Sequence, residues 1–118
     1  MNTITIKSLE KDIQNTIIEF LLYKKIFVWR NQAHPVFDTV TKSYRHLPKY
    51  TISGVSDILG ILPDGRFLAI EVKRPKQKPS ENQSEFIANV LRNNGVAFVA
   101  SSIEDVIENF KKYNVTNN

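Results

Sequence analysis

Apolar positions recur at helical spacing early in the chain, with Ile13, Ile17, Phe20 and Leu21 on one face, and predict a helix over residues 8–25. Ser8 is the expected cap, and Glu10 and Asp12 suit the positive end of the helix dipole. A β-branched and aromatic run at 26–30 predicts the first strand. Residues 31–52 contain Pro35, Pro48, His34 and His46 among many polar positions and read as a long loop, a class that is usually functional or mobile. Alternation then gives a hairpin over 54–73, followed by a basic linker bounded by Pro75 and Pro79. A helix starting at Ser80 carries Phe86, Ile87, Val90 and Leu91 on one face and stops near Asn93-Asn94-Gly95, where the glycine is the expected C-terminal cap. Residues 96–100 are wholly apolar, as in a strand buried on both faces. Ile103, Val106, Ile107 and Phe110 mark a last helix, capped by Ser101 or Ser102, before a tail at 115–118 that should fray. The order predicts an α/β fold: a mixed β-sheet flanked by helices.

The hairpin depends on its turn. In Pro63-Asp64-Gly65 the proline presets the first position, aspartate favours the second and glycine takes the left-handed one. With those three residues as the loop, Leu62 faces Arg66 and Asp57 faces Glu71. Side chains alternate, so Asp57, Leu59, Ile61, Phe67, Ala69, Glu71 and Lys73 share one face. A two-residue Asp-Gly loop would shift the register and send the two carboxylates to opposite faces. Ile58, Leu62, Leu68, Ile70 and Val72 fill the second face, so the hairpin should be central in the sheet. Carboxylates near a buried sheet are costly unless paired or metal-bound.

At 118 residues the chain has the length of one small domain. No apolar run is long enough to span a bilayer and the start of the sequence lacks a signal-peptide layout, so a cytoplasmic protein without a membrane partner is expected. The absence of cysteine excludes disulfides and thiolate metal sites. The net charge of +4 changes the picture more, because the cations bunch. Arg74, Lys76 and Lys78 follow Lys73, while Lys42, Arg45, His46 and Lys49 sit in the loop before the hairpin. A basic patch beside buried acids suits a polyanion such as DNA held over a metal site, and a solubilising surface is the plain alternative.

Two carboxylates at one point form the hard oxygen site that Mg²⁺ or Mn²⁺ prefers, with the Val72 carbonyl as a third oxygen within reach. Lys73 could contact an attacking water or a phosphate, and metal plus lysine matches phosphodiester hydrolysis. On spacing alone a surface salt bridge from Lys73 to Glu71 or Asp57 is an equal reading.

Asp57 followed by Glu71-Val72-Lys73 resembles the PD-(D/E)xK nuclease signature. The wider run from Gly54-Val55-Ser56-Asp57 through Glu71-Val72-Lys73-Arg74-Pro75 and Ser80-Glu81-Asn82-Gln83 to Gly95-Val96-Ala97-Phe98-Val99 resembles the virus-type replication–repair nuclease (VRR-NUC) domain in its standalone form. The resemblance covers the chain from about Ser8 to the last helix. It implies a restriction-endonuclease-like core, dependence on Mg²⁺ or Mn²⁺, and a structured DNA substrate. It makes Asp57, Glu71 and the Val72 carbonyl metal ligands and Lys73 the catalytic lysine. Glu10 would lie near the metal through water, and Gln83 would help hold the site. Ser56 departs from the pattern, since proline often precedes the aspartate; that proline is chiefly a backbone device.

Each residue has a plainer reading. Glu10 passes as a helix-start acid, but the 10, 13, 17, 21 spacing puts it at the head of the apolar stripe facing the sheet. Gln83 completes a capping box with Ser80, and it also begins the stripe of Phe86, Ile87 and Val90. The histidines suit exposure or polar DNA contact better than metal binding. Trp29 and Tyr23 suit a core or an interface, while Tyr44 and Tyr50 are the aromatic candidates for touching nucleic acid. The expectation is an endonuclease selective for branched DNA, Holliday-junction resolvase-like, acting as a homodimer whose two sites cut two strands. A flap-selective or structure-indifferent nuclease, a non-catalytic nucleic-acid-binding module, and a protein-interaction domain are the rivals.

Overall fold

In the computed structural model the described residues are 3–32, 37–38, 43–44 and 48–116, with backbone alone for 3–8, 37–38 and 43–44. In chain order they form α1 (Thr3–Tyr23), β1 (Phe27–Arg30), β2 (Phe37–Asp38), β3 (Ser43–Tyr44), β4 (Ile58–Ile61), β5 (Phe67–Val72), α2 (Glu81–Arg92), β6 (Val96–Ala100) and α3 (Ile103–Lys112). The main sheet runs β1-β4-β5-β6, with antiparallel pairs except for parallel β5 and β6. It is the mixed sheet flanked by helices that the sequence predicted.

The turn sets the register as expected. Leu62 N–H donates to the Arg66 carbonyl at 2.9 Å, Gly65 N–H donates to Leu62 at 2.8 Å, and Gly65 adopts φ of 93°. Ile58 pairs with Ile70 and Ile61 with Phe67, which sets Asp57 opposite Glu71. The Arg66 guanidinium spans the Asp64 carboxylate and the carbonyls of Tyr113 and Asn114, so the turn also holds the end of α3.

α1 and α3 cover one sheet face, where Ile17, Leu21, Val106 and Phe110 pack with Ile58, Leu68, Ile70, Val72 and Phe98. α2 packs on β5 and β6 from the other side. Toward β1 and β4 on that second face Phe27, Trp29 and Ile61 are exposed, as is Phe67 at the start of β5. Trp29 and Tyr23 are therefore not core residues; Tyr23 is 82% exposed.

Three local expectations need correction. α1 starts at Thr3, so Ser8 lies inside the helix and Glu10 is not a first-turn acid; no glycine or proline interrupts residues 3–8 to stop the helix extending. The loop over 31–52 contains a short antiparallel pair, β2 with β3, whose two-residue strands are too brief for alternation to reveal. At the end of α2 the left-handed residue is Asn94, with φ of 64°, and not Gly95. Gly95 is needed for space instead, because a Cβ there would lie 2.6 Å from Val90 Cγ1. Ser102 is the cap of α3, accepting from Asp105 N–H at 3.2 Å. Among the described residues no helix is long and apolar enough to cross a membrane.

Candidate active site

The centre of the site is a buried carboxyl group. Glu71, near the end of β5, is 2% exposed, and its Oε1 has no hydrogen-bond partner. Its Oε2 lies 3.8 Å from the Lys73 ammonium. Burial chiefly, then the Asp57 charge and a hydrogen bond between the two carboxyl groups, pushes the Glu71 carboxyl up to about 8; Lys73 pulls it down and Glu10 adds a small push. An uncompensated carboxylate there is expensive, and a proton, a cation or both relieve it.

Asp57 stands at the entrance to β4. Its Oδ2 accepts from Val72 N–H at 2.9 Å, and its carbonyl accepts from Asn31 N–H at 2.8 Å, tying it to β5 and to the exit of β1. Strand residues send N–H and C=O toward the same neighbour. With Val72 N–H directed at Asp57, its carbonyl leaves toward the same side, while Lys73 N–H turns the other way to Ala100 at 3.1 Å. Two carboxylates and a carbonyl thus converge, a donor set that fits a hard divalent cation. Among the described residues no group of three or more His, Asp or Glu side chains gathers for a metal, so the carbonyl matters to such a site.

Glu10, on α1, is paired with Arg74 at 3.7 Å. Arg74, a candidate DNA contact, keeps its side chain 27% exposed while its Nε is buried beside Glu10. Gln83 forms the complete capping box: its Oε1 accepts from Ser80 N–H at 2.8 Å and its own N–H donates to Ser80 Oγ at 3.2 Å. Its structural role is thus the helix start. Lys49, Lys76 and Lys78 are exposed, as a phosphate-binding role requires. Lys42, Arg45, His34 and His46 lie outside the described residues, as does the side chain of Tyr44.

Sequence reasoning missed the device that seats Asp57. Gly54, with φ of 81°, presses on the first turn of α2, where a Cβ would lie 2.4 Å from the Asn82 carbonyl carbon. Ser53 Oγ accepts from Asn82 Nδ2 at 2.9 Å beside it. The glycine before the aspartate was visible in the sequence, but its contact across 28 positions was not. Gly54→Ala should lower the melting temperature by roughly 5–10 °C, the scale of one strained, clashing backbone position. It should slow any cleavage by displacing Asp57, and a melt unchanged from wild type would refute the contact.

A model of the VRR-NUC domain matches residues 10–104. The chain belongs to the VRR-NUC family. A solved structure described as a VRR_NUC domain protein superposes with a TM-score of 0.54 at 21% identity, covering 89% of this chain and 87% of that one, and shares the fold. No protein of curated function matches the chain. Membership implies a nuclease of the PD-(D/E)xK type with DNA as its substrate. The VRR-NUC match spans every residue of the trio, Asp57, Glu71 and Lys73, and also Glu10 and Gln83.

Proposed function

We propose that this VRR-NUC chain is a divalent-metal-dependent endodeoxyribonuclease that cuts branched DNA, in the manner of a Holliday-junction resolvase, as a homodimer. The observation that carries the chemistry is Glu71: a buried carboxyl with an unpartnered oxygen, beside a second carboxyl and an ammonium. Asp57, Glu71 and the Val72 carbonyl would hold Mg²⁺ or Mn²⁺, with Glu10 assisting through water. The ion, when bound, supplies Lewis acidity toward the phosphoryl group and toward water.

The chain's own residues do the rest. Val72 N–H orients the Asp57 carboxylate. Glu71 would hold the cation as a carboxylate, its proton lost to solvent. Lys73 is placed to steady the charge that develops on a phosphoryl oxygen or to position the attacking water. Arg74 balances Glu10, which limits the negative charge that approaching DNA meets. Lys49, Lys76 and Lys78, with Lys42 and Arg45 by their sequence position, would neutralise flanking phosphates and set the register of the duplex. Gln83 would serve the site through the start of α2. The open apolar strip of Phe27, Trp29, Ile61 and Phe67 favours self-association, since apolar area of this kind commonly marks an interface.

The test is cleavage of a labelled four-way junction, a flap and a matching linear duplex in Mg²⁺, Mn²⁺ or EDTA, with light scattering under the same conditions. Paired metal-dependent cuts on the junction by a dimer are expected. Preference for the flap would favour the flap-selective rival. Equal cutting of all three would remove branch selectivity. Binding without cleavage in every metal would leave a DNA-binding module, and a monomer under cutting conditions would count against paired cuts.

A further inference from the structure

Upstream of the contact between Gly54 and α2, the chain makes a tight turn at 48–51. Thr51 N–H donates to the Pro48 carbonyl at 3.2 Å, and the Thr51 hydroxyl donates to the same oxygen. Tyr50 stands at the tip with φ of 70°, a left-handed backbone that a bulky residue adopts only at a cost. The residue is 91% exposed, and Lys49 Nζ lies 5.1 Å from its ring centroid. A strained backbone that holds an aromatic ring in solvent beside a cation contributes little to the core. An exposed ring beside a cation offers a face on which a nucleic-acid base can stack.

Beside this turn a groove of about 280 Å³ runs along α2, lined by Thr51, Ser53, Asn82, Glu85, Phe86 and Asn89. Phe86 offers an apolar surface, and the amides and the Glu85 carboxylate are groups that hydrogen-bond base edges. Glu85 also repels phosphate, so a base suits the groove better than the backbone does.

We propose that Tyr50 and this groove receive an unpaired base of the DNA, giving the chain a local means of telling branched or interrupted DNA from intact duplex. This rests on the reading of the chain as a nuclease for branched DNA. The seven steps of chain from Tyr50 to Asp57 span at most about 25 Å. At about 3.4 Å per nucleotide along one strand, the base lies within roughly seven nucleotides of the cut.

The experiment measures binding in EDTA, with chemistry off, of the full chain to a duplex carrying one unpaired 2-aminopurine and to the same duplex fully paired. Wild type should prefer the unpaired base and quench its fluorescence. Tyr50→Ala should lose about tenfold of that preference, the scale of one base–aromatic stack, and Tyr50→Phe should keep it. Tyr50→Gly, which relieves the left-handed backbone, should melt no lower than wild type and still lose the preference, separating recognition from folding. A wild type without preference, a preference unchanged in Tyr50→Ala, or one lost in Tyr50→Phe overturns the proposal. A chain that cuts no DNA yet shows the Tyr50-dependent quench refutes only the nuclease reading. One that cuts junctions without Tyr50 dependence refutes only the base site.

Discussion

Lys73→Ala is expected to lower the cleavage rate at saturating DNA by about 10²–10³-fold, the cost of removing one preorganised charge from a transition state. DNA affinity should change by no more than a few fold, because one lysine among several contributes a single phosphate contact. The Lys73 side chain is 18% exposed and its ammonium lies 3.8 Å from Glu71 Oε2, so it is held near the carboxyl pair without being consumed by a tight hydrogen bond. If the pair were only a structural ion pair, its removal would cost stability, as losing one partner of a buried pair does, and leave the rate of the folded protein untouched. The rate at saturation therefore separates the two readings. Lys73→Arg should not restore it, since a planar guanidinium cannot take the place of a compact point charge. A full rate in Lys73→Ala would remove this residue from the chemistry.

Glu71→Gln should abolish metal-dependent cleavage and, without metal at pH 8.5, give a more stable protein than wild type. The sign follows from the carboxyl's rise from 4.5 to about 8 on folding. Between those values the folded chain holds a proton that the unfolded chain has lost. Stability is therefore greatest below the lower value and falls as pH rises through the window, by an amount of order 5 kcal/mol. The groups facing Glu71 are Asp57, Lys73 and Glu10, and burial outweighs the help from the lysine. Glutamine keeps the shape without the charge, so its advantage should be largest at pH 8.5, smaller at pH 6 and lost below about pH 4.5. Added Mg²⁺ or Mn²⁺ should raise the wild-type melting temperature more as pH increases, because the cation needs the deprotonated carboxylate. It should leave the glutamine variant unchanged. Melting curves across pH, with metal and with EDTA, measure all of this. A glutamine variant that melts lower than wild type at pH 8.5 in EDTA would sink the argument.

Much of the site was legible because it depends on local rules. The Pro63-Asp64-Gly65 turn sets a register, and a register of period two decides which side chains meet. That is why Asp57, Glu71 and Lys73 were brought together on paper as they are in the fold. The head of the apolar stripe at 10, 13, 17 and 21 likewise foretold that Glu10 would approach the sheet. The start of α1 was not legible, because residues 3–8 carry neither a stop signal nor a decisive cap, and Ser8 offered a false one. The pairing of Arg74 with Glu10 was not legible, because a run of cations looks the same whether each head is solvated or paired with a distant acid.

The sequence by itself determined the three helices and the four strands of the main sheet, though not where α1 starts, together with the hairpin register, the acid–lysine trio and the capping box of Gln83, since each follows from local spacing. Only the tertiary structure decided how deeply Glu71 is buried, that Val72 N–H orients Asp57, that Arg74 answers Glu10, and that Gly54 rests on α2. Those are contacts between segments far apart in the chain. Their energies come from close packing and from excluded water, and neither exists until the sheet and its helices have closed on one another.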